Sequence, residues 1–344
     1  MNNQNHKVAI VGSNGNFGKK RIRSFEQNNI QVKYCIDQAY EKEYVKDGLT
    51  FSKNVSLPLL DPEISIFCIC TPDMFKKEII NDALNNNKHV FVEKPLSKSH
   101  ADIDSFYQLA KDRNKVLSVG YNLIYFPSIK KILEIVSKGS LGKLKSFRLL
   151  YGHGGASGFK DKNNWRLSNS SWGGVEIDLE CHMLDLLFNV GATEIKNFYS
   201  ESRYYQDSKS TIERNTSLLC GPNNVLGSIY TSWECWKNTL DINLWFENGY
   251  IYSNGLLKYM KYGQLGEKLE VGIKNENGSP KISSYFWNQI KSESEDTVSE
   301  ISLDMEFTDE EIKDFIQLIS RNDYKKYLEN EHKKNTFVAS VINS

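Results

Sequence analysis

The chain has 344 residues, 43 Lys plus Arg against 43 Asp plus Glu, and 40% apolar residues. That length supports two cores rather than one ordinary domain. The balanced charge argues against an electrostatic commitment to nucleic acid or to an anionic membrane.

No apolar run is long enough for a membrane span, and the start from Met1 to Lys7 lacks the apolar segment of a signal peptide. Cys35, Cys68, Cys70, Cys181, Cys220 and Cys235 show no CxxC or Cys/His zinc spacing. They read as reduced core residues of a cytoplasmic protein. Cys68 and Cys70, two apart in a predicted strand, share one face, which suits packing better than metal ligation.

Lys7 to Val11 predicts a short strand, followed by Gly12-Ser13-Asn14-Gly15-Asn16-Phe17-Gly18 and a helix over Lys19 to Gln27. Glycines between strand and helix let the backbone turn tightly and approach a pyrophosphate, which the free N–H groups of the helix start can bind. The spacing is GxxGxxG rather than GxGxxG, and a plain turn is the alternative. Gln31 to Asp37 predicts a second strand ending in an acid at the distance expected of a ribose-binding carboxylate. Asp37 would accept hydrogen bonds from two ribose hydroxyls and repel a 2′-phosphate, and Gln38 offers no positive partner. That favours NAD over NADP.

Ile64 to Cys70 predicts a buried strand, Thr71-Pro72-Asp73 a turn, Phe75 to Asn86 a helix, and His89 to Glu93 another strand before Lys94-Pro95. Alternating strands and helices imply βαβ units and a parallel sheet. In such sheets ligands bind at the carboxyl ends of the strands, which puts Thr71, Pro72, Glu93 and Lys94 on the ligand edge. A lysine held there by a proline is a candidate catalytic group; a solvated surface charge is the alternative. Ser99 to Asn114 continues as helix and Lys115 to Gly120 as the last strand of this half.

Beyond about residue 122 the pattern changes. Residues 129–138 predict a helix, Gly142 to Tyr151 a strand, and Gly152 to Ser171 a loop rich in Gly, His, Lys, Asn and Trp. A helix over Gly174 to Asn189 precedes five strand-like segments between Glu194 and Asn254, whose alternating apolar and polar residues imply an antiparallel sheet with one buried and one wetter face. Residues 264–302 are polar and carry no clear assignment. Asp309 to Ser320 and Tyr324 onward predict helices able to pack back on earlier parts. The expected division is therefore 1–122 and 123–344.

In the second half, Asp178 and His182 stand four apart on the predicted helix, so they share a face and could hydrogen-bond. A carboxylate beside an imidazole fixes its tautomer, making a proton-transfer pair, although an ordinary helical Asp/His pair has the same spacing. Asp185 continues that side. A zinc site would need a third ligand that no nearby spacing supplies, so no metal is assigned. His153, Trp165 and Arg166 could line a substrate: the indole offers a flat face for a sugar ring and the guanidinium a fork for an anion, or Arg166 holds its own loop together.

This ordered set resembles the Gfo/Idh/MocA oxidoreductases across nearly the whole chain: the glycine turn, Glu93-Lys94-Pro95, Gly120-Tyr121-Asn122 with Pro127, Trp165-Arg166, and Gly173-Gly174 followed by Asp178-x-x-x-His182. The resemblance implies a Rossmann domain, a doubly wound parallel sheet, followed by an α/β domain with a large, mostly antiparallel sheet. It implies NAD(P) bound in the first and a sugar, cyclitol or nucleotide-sugar at the cleft between them. A cis peptide before Pro95 and homodimers or homotetramers built through the open sheet face are further implications. Lys94 and His182 match the proton-transfer and substrate-orienting residues, with Asp178 hydrogen-bonding the substrate or supporting the histidine. Gly12, Gly15, Asn16, Phe17 and Gly18 match the phosphate turn, and Asn122 matches a residue near both cofactor and substrate. The sequence departs from the pattern at Lys76, where a histidine is usual, at Trp172, where many members have a third glycine, and at Ile124, where some have arginine.

The implied reaction moves a hydride from a ring carbon to nicotinamide while a base removes the hydroxyl proton. Lys94, its pKa lowered by a cationic nicotinamide, and His182 are both candidates for that base. A cofactor-binding scaffold without turnover, and a reductase of a non-sugar carbonyl or imine, are the competing readings.

Overall fold

The computed structural model describes residues 6–154, 173–205, 210–221, 223–236, 238–255, 267–287, 307–321 and 324–343. The chain divides into two compact units, 1–122 with 305–339 and 123–304 with 340–344.

The first unit begins with β1 (Lys7–Val11), α1 (Asn16–Gln27) and β2 (Gln31–Ile36). There follow a hairpin of β3 (Tyr44–Lys46) and β4 (Leu49–Ser52), α2 (Ser56–Leu60), β5 (Ile64–Ile69), α3 (Lys76–Asn85), β6 (His89–Glu93), α4 (His100–Asp112) and β7 (Leu117–Gly120). The seven strands lie in the order β3-β4-β2-β1-β5-β6-β7, parallel apart from the edge strand β3. Val8, Ala9, Ile10, Ile66, Phe67, Cys68 and Val90 to Val92 are wholly buried, as near-continuous apolar runs require in a sheet covered on both faces. Strand order reverses beside β1, whose neighbours are β2 and β5. That switch point is where open α/β sheets bind ligands.

Local chemistry explains the connections. α1, α3 and α4 each end at an asparagine of positive φ, Asn29, Asn87 and Asn114. The amides of Ile30, Lys88 and Lys115 then reach back to Phe25, Ala83 and Ala110 carbonyls at 2.9 Å each, the six-to-one bond of a Schellman end. Ser99 caps α4 by accepting from the Asp102 amide.

The second unit comprises α5 (Pro127–Ser137), β8 (Leu144–Gly152), a π-helical turn (Glu176–Glu180) running into α6 (Cys181–Asn189), and β9 (Glu194–Tyr204) to β11 (Val225–Ser232) through β10 (Thr211–Gly221). β12 (Thr239–Phe246), β13 (Gly249–Asn254), β14 (Glu267–Lys274) and β15 (Pro280–Trp287) complete its sheet, in the order β15-β14-β13-β12-β8-β11-β10-β9. All pairings are antiparallel except β8 with β11. β12 shows the two faces: Leu240, Ile242, Leu244 and Phe246 are buried while Asp241, Asn243 and Trp245 alternate with them.

The C-terminal helices α7 (Phe307–Arg321) and α8 (Lys325–Ile342) follow. Their grouping corrects the expected division, which placed everything after 122 in the second domain. Ser24 Oγ donates to Thr308 Oγ1 at 3.0 Å, Asn28 Nδ2 to the Asp309 carbonyl at 2.9 Å, and Tyr327 to Ser118 Oγ at 2.8 Å. Phe315 meets the Phe91 ring edge-on with centroids 5.4 Å apart. Helices separated from their partners by some 200 residues cannot be placed by local pattern.

The structure adds β3, β4, α2, β14 and β15 to the expected elements and moves the start of one helix. β3 and β4 are joined by Asp47-Gly48, both of positive φ, the dipeptide that a tight hairpin turn favours. β14 and β15 fall within the polar stretch 264–302, where Leu269, Val271 and Ile273 alternate along β14. α1 starts three residues earlier than expected, directly after Gly15. No helix among the described residues is long and apolar enough to cross a membrane.

Candidate functional site

The switch-point edge of the first unit gathers the residues expected to hold a dinucleotide. Gly12 has φ +82°, and a Cβ there would lie 2.8 Å from the Cys70 backbone, so the turn after β1 runs flush against the end of β5. At Gly18 a Cβ would come within 2.2 Å of the Gly12 carbonyl oxygen; only glycine lets α1 start this close to the loop. The first turn of α1 carries no acid, leaving its positive end open to an anion. Asn16 opens that helix, and Phe17, half-buried, has the Lys20 ammonium over its ring at 5.1 Å.

Asp37 follows β2. Its carboxylate accepts from the Asn14 amide at 2.9 Å and from the Ala39 amide at 3.0 Å, which ties the acid to the glycine loop itself. Tyr40 OH meets Ser13 Oγ at 3.0 Å beside it. Thr71 Oγ1 is buried without a hydrogen-bond partner among the described residues, at the position where a bound cofactor would supply one. Glycine cradle, acid-free helix start, anchored acid and orphaned hydroxyl all fit a dinucleotide.

One strand further along, Glu93 and Lys94 close β6, and the Lys94–Pro95 peptide is cis. Lys94 is half-buried. Glu93 Oε1 accepts from Arg21 Nε at 2.7 Å, and Arg21 Nη2 pairs with Glu311 Oε2 at 2.6 Å. This guanidinium, fully buried, also stacks on Phe91 at 4.5 Å. Glu93 was expected among the cofactor contacts; in the structure its carboxylate anchors the strand end. Arg21 itself was not singled out, although with Gly18 and Phe25 it falls on the inward stripe of α1, where a cation needs a partner. Lys76 is a departure from the family pattern. It is 2% exposed and donates to the carbonyls of Glu93 at 2.6 Å and Pro95 at 2.7 Å.

In the second unit, Gly174 has φ +126°, and its carbonyl accepts from the amides of Ile177 at 3.2 Å and Asp178 at 3.1 Å. The helix then takes a π turn. Such a turn closes over five residues rather than four, so the Asp178–His182 spacing falls short of a complete turn, contrary to the regular helix expected. Asp178 Oδ2 accepts from Trp233 Nε1 at 3.1 Å and lies 3.7 Å from His153 Nε2. His182 is buried, with the Tyr151 ring edge-on at 6.3 Å. The structure thus brings His153 and Asp178 together, a pairing that sequence spacing could not offer because 24 intervening positions separate them. Trp233, wholly buried, was missed for the same reason.

Behind that turn lies a buried ion pair, also missed. Arg214 Nε is 3.0 Å from Glu180 Oε2, and its Nη2 donates to Ser200 Oγ at 3.0 Å and the Val341 carbonyl at 3.1 Å. Burial pushes the Glu180 carboxyl up to about 7 against the opposing pull of Arg214. Asp185 is buried and accepts from Asn189. Asn122 opens a 3₁₀ turn at the boundary between the units. Trp165, Arg166 and Trp172 lie outside the described residues.

Comparison with known proteins gives two family matches. Residues 6–121 match the oxidoreductase family with an NAD-binding Rossmann fold, and residues 129–252 match the GFO/IDH/MocA C-terminal domain. A levoglucosan dehydrogenase from Pseudarthrobacter phenanthrenivorans is 29% identical over 37% of this chain and 33% of its own. A myo-inositol 2-dehydrogenase from Thermotoga maritima is 23% identical over 59% of this chain and 60% of its own. The matched stretches therefore span between a third and three-fifths of those curated relatives. A solved levoglucosan dehydrogenase, in complex with NADH and levoglucosan, superposes with a TM-score of 0.76 at 17% identity, covering 98% of this chain and 96% of that one.

Proposed function

The chain belongs to the Gfo/Idh/MocA family of oxidoreductases, its first unit an NAD-binding Rossmann domain, and on that premise we propose that it is an NAD-dependent dehydrogenase oxidising a ring hydroxyl of a sugar, cyclitol or nucleotide-sugar to a ketone, or the reverse. The observation that carries this reading is Lys94 at the carboxyl end of β6, its flanking backbone held by Lys76 and its neighbour Glu93 by Arg21. Relatives named for levoglucosan, myo-inositol and D-xylose support the substrate class.

When bound, the cofactor supplies a nicotinamide carbon that accepts or returns a hydride. The chain's own part is to bind, orient and move a proton. The glycine turn and the N-terminus of α1 would hold the pyrophosphate, and the Asp37 carboxylate would accept from the adenosine ribose hydroxyls, which disfavours NADP. Lys94 Nζ takes the hydroxyl proton as the carbon becomes trigonal. His182, Asp178 and His153 orient the ring hydroxyls; Trp233 fixes the Asp178 oxygen to which His153 is nearest. His182 is the other candidate for the base. Asn122, Trp165 and Arg166 complete the proposed substrate contacts.

A homodimer or homotetramer formed through the outer face of the second sheet accompanies this reading. Tyr199, Leu226, Tyr252, Ile282 and Phe286 stand exposed on its strands, more apolar surface than a solvated face needs. Six free cysteines suit a reducing cytoplasm.

The deciding experiment follows NAD reduction against a panel of free sugars, inositols and nucleotide-sugars. Turnover with at least one ring alcohol is expected. Bound NAD with no turnover on any of them, or with carbonyl or imine substrates only, would replace this reading by the scaffold or the non-sugar reductase.

A further inference from the structure

Lys76 stands where the family resemblance places a histidine, and the structure shows what the exchange does. β5 and β6 are adjacent parallel strands. A 3₁₀ turn, Asp73–Phe75, follows β5 and leads into α3, whose first residue is Lys76. Neighbouring strands lie about 4.8 Å apart, a gap that the four-carbon lysine stem spans. Its ammonium reaches the end of β6, donating to the Glu93 carbonyl at 2.6 Å and the Pro95 carbonyl at 2.7 Å, with the Lys94 carbonyl at 3.4 Å. Asp73 Oδ1 forms the ion pair that balances its charge.

The donor count separates the two residue types. An ammonium has three N–H donors, a neutral imidazole one. Three close acceptors are present here: two carbonyls that bracket Lys94 and one carboxylate. Both partners of the ion pair are buried, Lys76 at 2% and Asp73 at 7% exposure. Burial raises the Asp73 carboxyl, while the cations Lys76, Lys94 and Lys98 act on it in the opposite direction. Asp73 is thus within electrostatic reach of Lys94 as well as of Lys76.

We propose that Lys76 is a positioning residue for Lys94: it clamps the carbonyls on either side of it and, by occupying Asp73, keeps that carboxylate from capturing the Lys94 amine. The inference rests on the reading of Lys94 as the proton acceptor only for its catalytic consequence; the structural device stands apart from it. Without Lys76, the Glu93 and Pro95 carbonyls lose their donor, and Lys94 becomes a nearby cation able to satisfy Asp73. The amine then turns back toward the loop after β5.

The test measures acetylation of the Lys94 side chain by a short pulse of acetic anhydride, read by peptide mass spectrometry with Lys46, exposed on the edge strand β3, as internal reference. Lys76→Met should slow Lys94 labelling about tenfold, the effect of one pKa unit of new pairing, and adding Asp73→Asn should restore it. Lys76→His, which keeps one donor, should fall between wild type and Lys76→Met and covers the case in which the methionine variant does not fold. With a substrate from the panel, kcat should drop about a hundredfold, as small misplacements of a reacting group do, with the KM for NAD within about threefold of wild type. Wild-type labelling in a folded Lys76 variant, or no restoration by Asp73→Asn, would overturn the proposal. Altered labelling together with near-normal turnover of Lys94→Ala would keep the clamp and remove the catalytic role of Lys94 instead.

Discussion

The two units place their candidate residues by different physics. In the first, every candidate hangs from the carboxyl end of a parallel strand: Gly12 after β1, Asp37 after β2, Thr71 after β5 and Lys94 after β6. Sheet pairing sets where those ends fall, so the order of strands is enough to line them up. In the second, Asp178 and His182 ride on a π turn and the helix that follows it, and their partners Trp233, His153 and Tyr151 come from strands and loops far along the chain. Among the described residues each unit also buries an arginine, Arg21 in the first and Arg214 in the second. Arg21 meets two carboxylates, Glu93 and Glu311; Arg214 pairs with Glu180 and also meets the hydroxyls of Thr216 and Ser200 and the Val341 carbonyl. Strand ends give a rigid platform, while a π turn backed by the Arg214–Glu180 pair gives a helix whose phase depends on distant contacts.

The largest effect expected from breaking this contrast is catalytic. Lys94→Ala should lower turnover by about a hundredfold to ten-thousandfold, the usual contribution of a positioned base, and NADH binding followed by fluorescence should stay as in wild type. His182→Ala provides the comparison: if it loses more turnover than Lys94→Ala, the imidazole is the base and the strand-end amine orients.

Next in size is the Arg21 anchor. Arg21→Met leaves two buried carboxylates without their cation, and removing one partner from such a cluster costs about 3–5 kcal/mol. Urea unfolding should show it directly. Arg214→Met should cost less, since its partner Glu180 already sits at about 7 and can take up a proton. Equal losses would mean that the two buried arginines are equivalent after all.

A smaller effect attaches to Asp37. Asp37→Ser removes the charged acceptor, and hydrogen bonds to charged groups contribute about 1.5–3 kcal/mol. NADH affinity measured by titration should fall by about tenfold to a hundredfold, while NADPH should bind no worse than to wild type. Unchanged NADH affinity would show that the carboxylate serves only to tie Asn14 and Ala39.

This division also explains what was legible in the sequence. Glycine turn, terminal acid and Lys94-Pro95 could be read because each lies next to a strand whose residues are apolar without interruption, and the Rossmann fold follows from the alternation of strands and helices. The Asp47-Gly48 hairpin carried its signal openly and was overlooked. By contrast, the π turn has no periodic signature distinguishing it from an α-helix over Gly174 to Asn189. Lys76, Arg21 and Arg214 look in sequence like the solvated cations they usually are. Only coordinates reveal that Glu311 stands opposite Arg21, or that α7 groups with the first unit.

Glu180 offers the finest probe of the contrast. An unfolded glutamate titrates near 4.3, whereas burial holds this one at about 7 in the fold. Between those values the native protein retains a proton that the unfolded chain has released. The linkage relation then makes its contribution most favourable below about pH 4 and lets it decline as pH rises to about 7, with no further change above. Glu180→Gln cannot titrate, so urea unfolding across about pH 5 to 7 should lose this slope, up to about 1.4 kcal/mol per pH unit for one proton. An identical slope in the variant would mean that Arg214 keeps Glu180 ionised in the fold, making the second unit's charge pair as permanent as the one around Arg21.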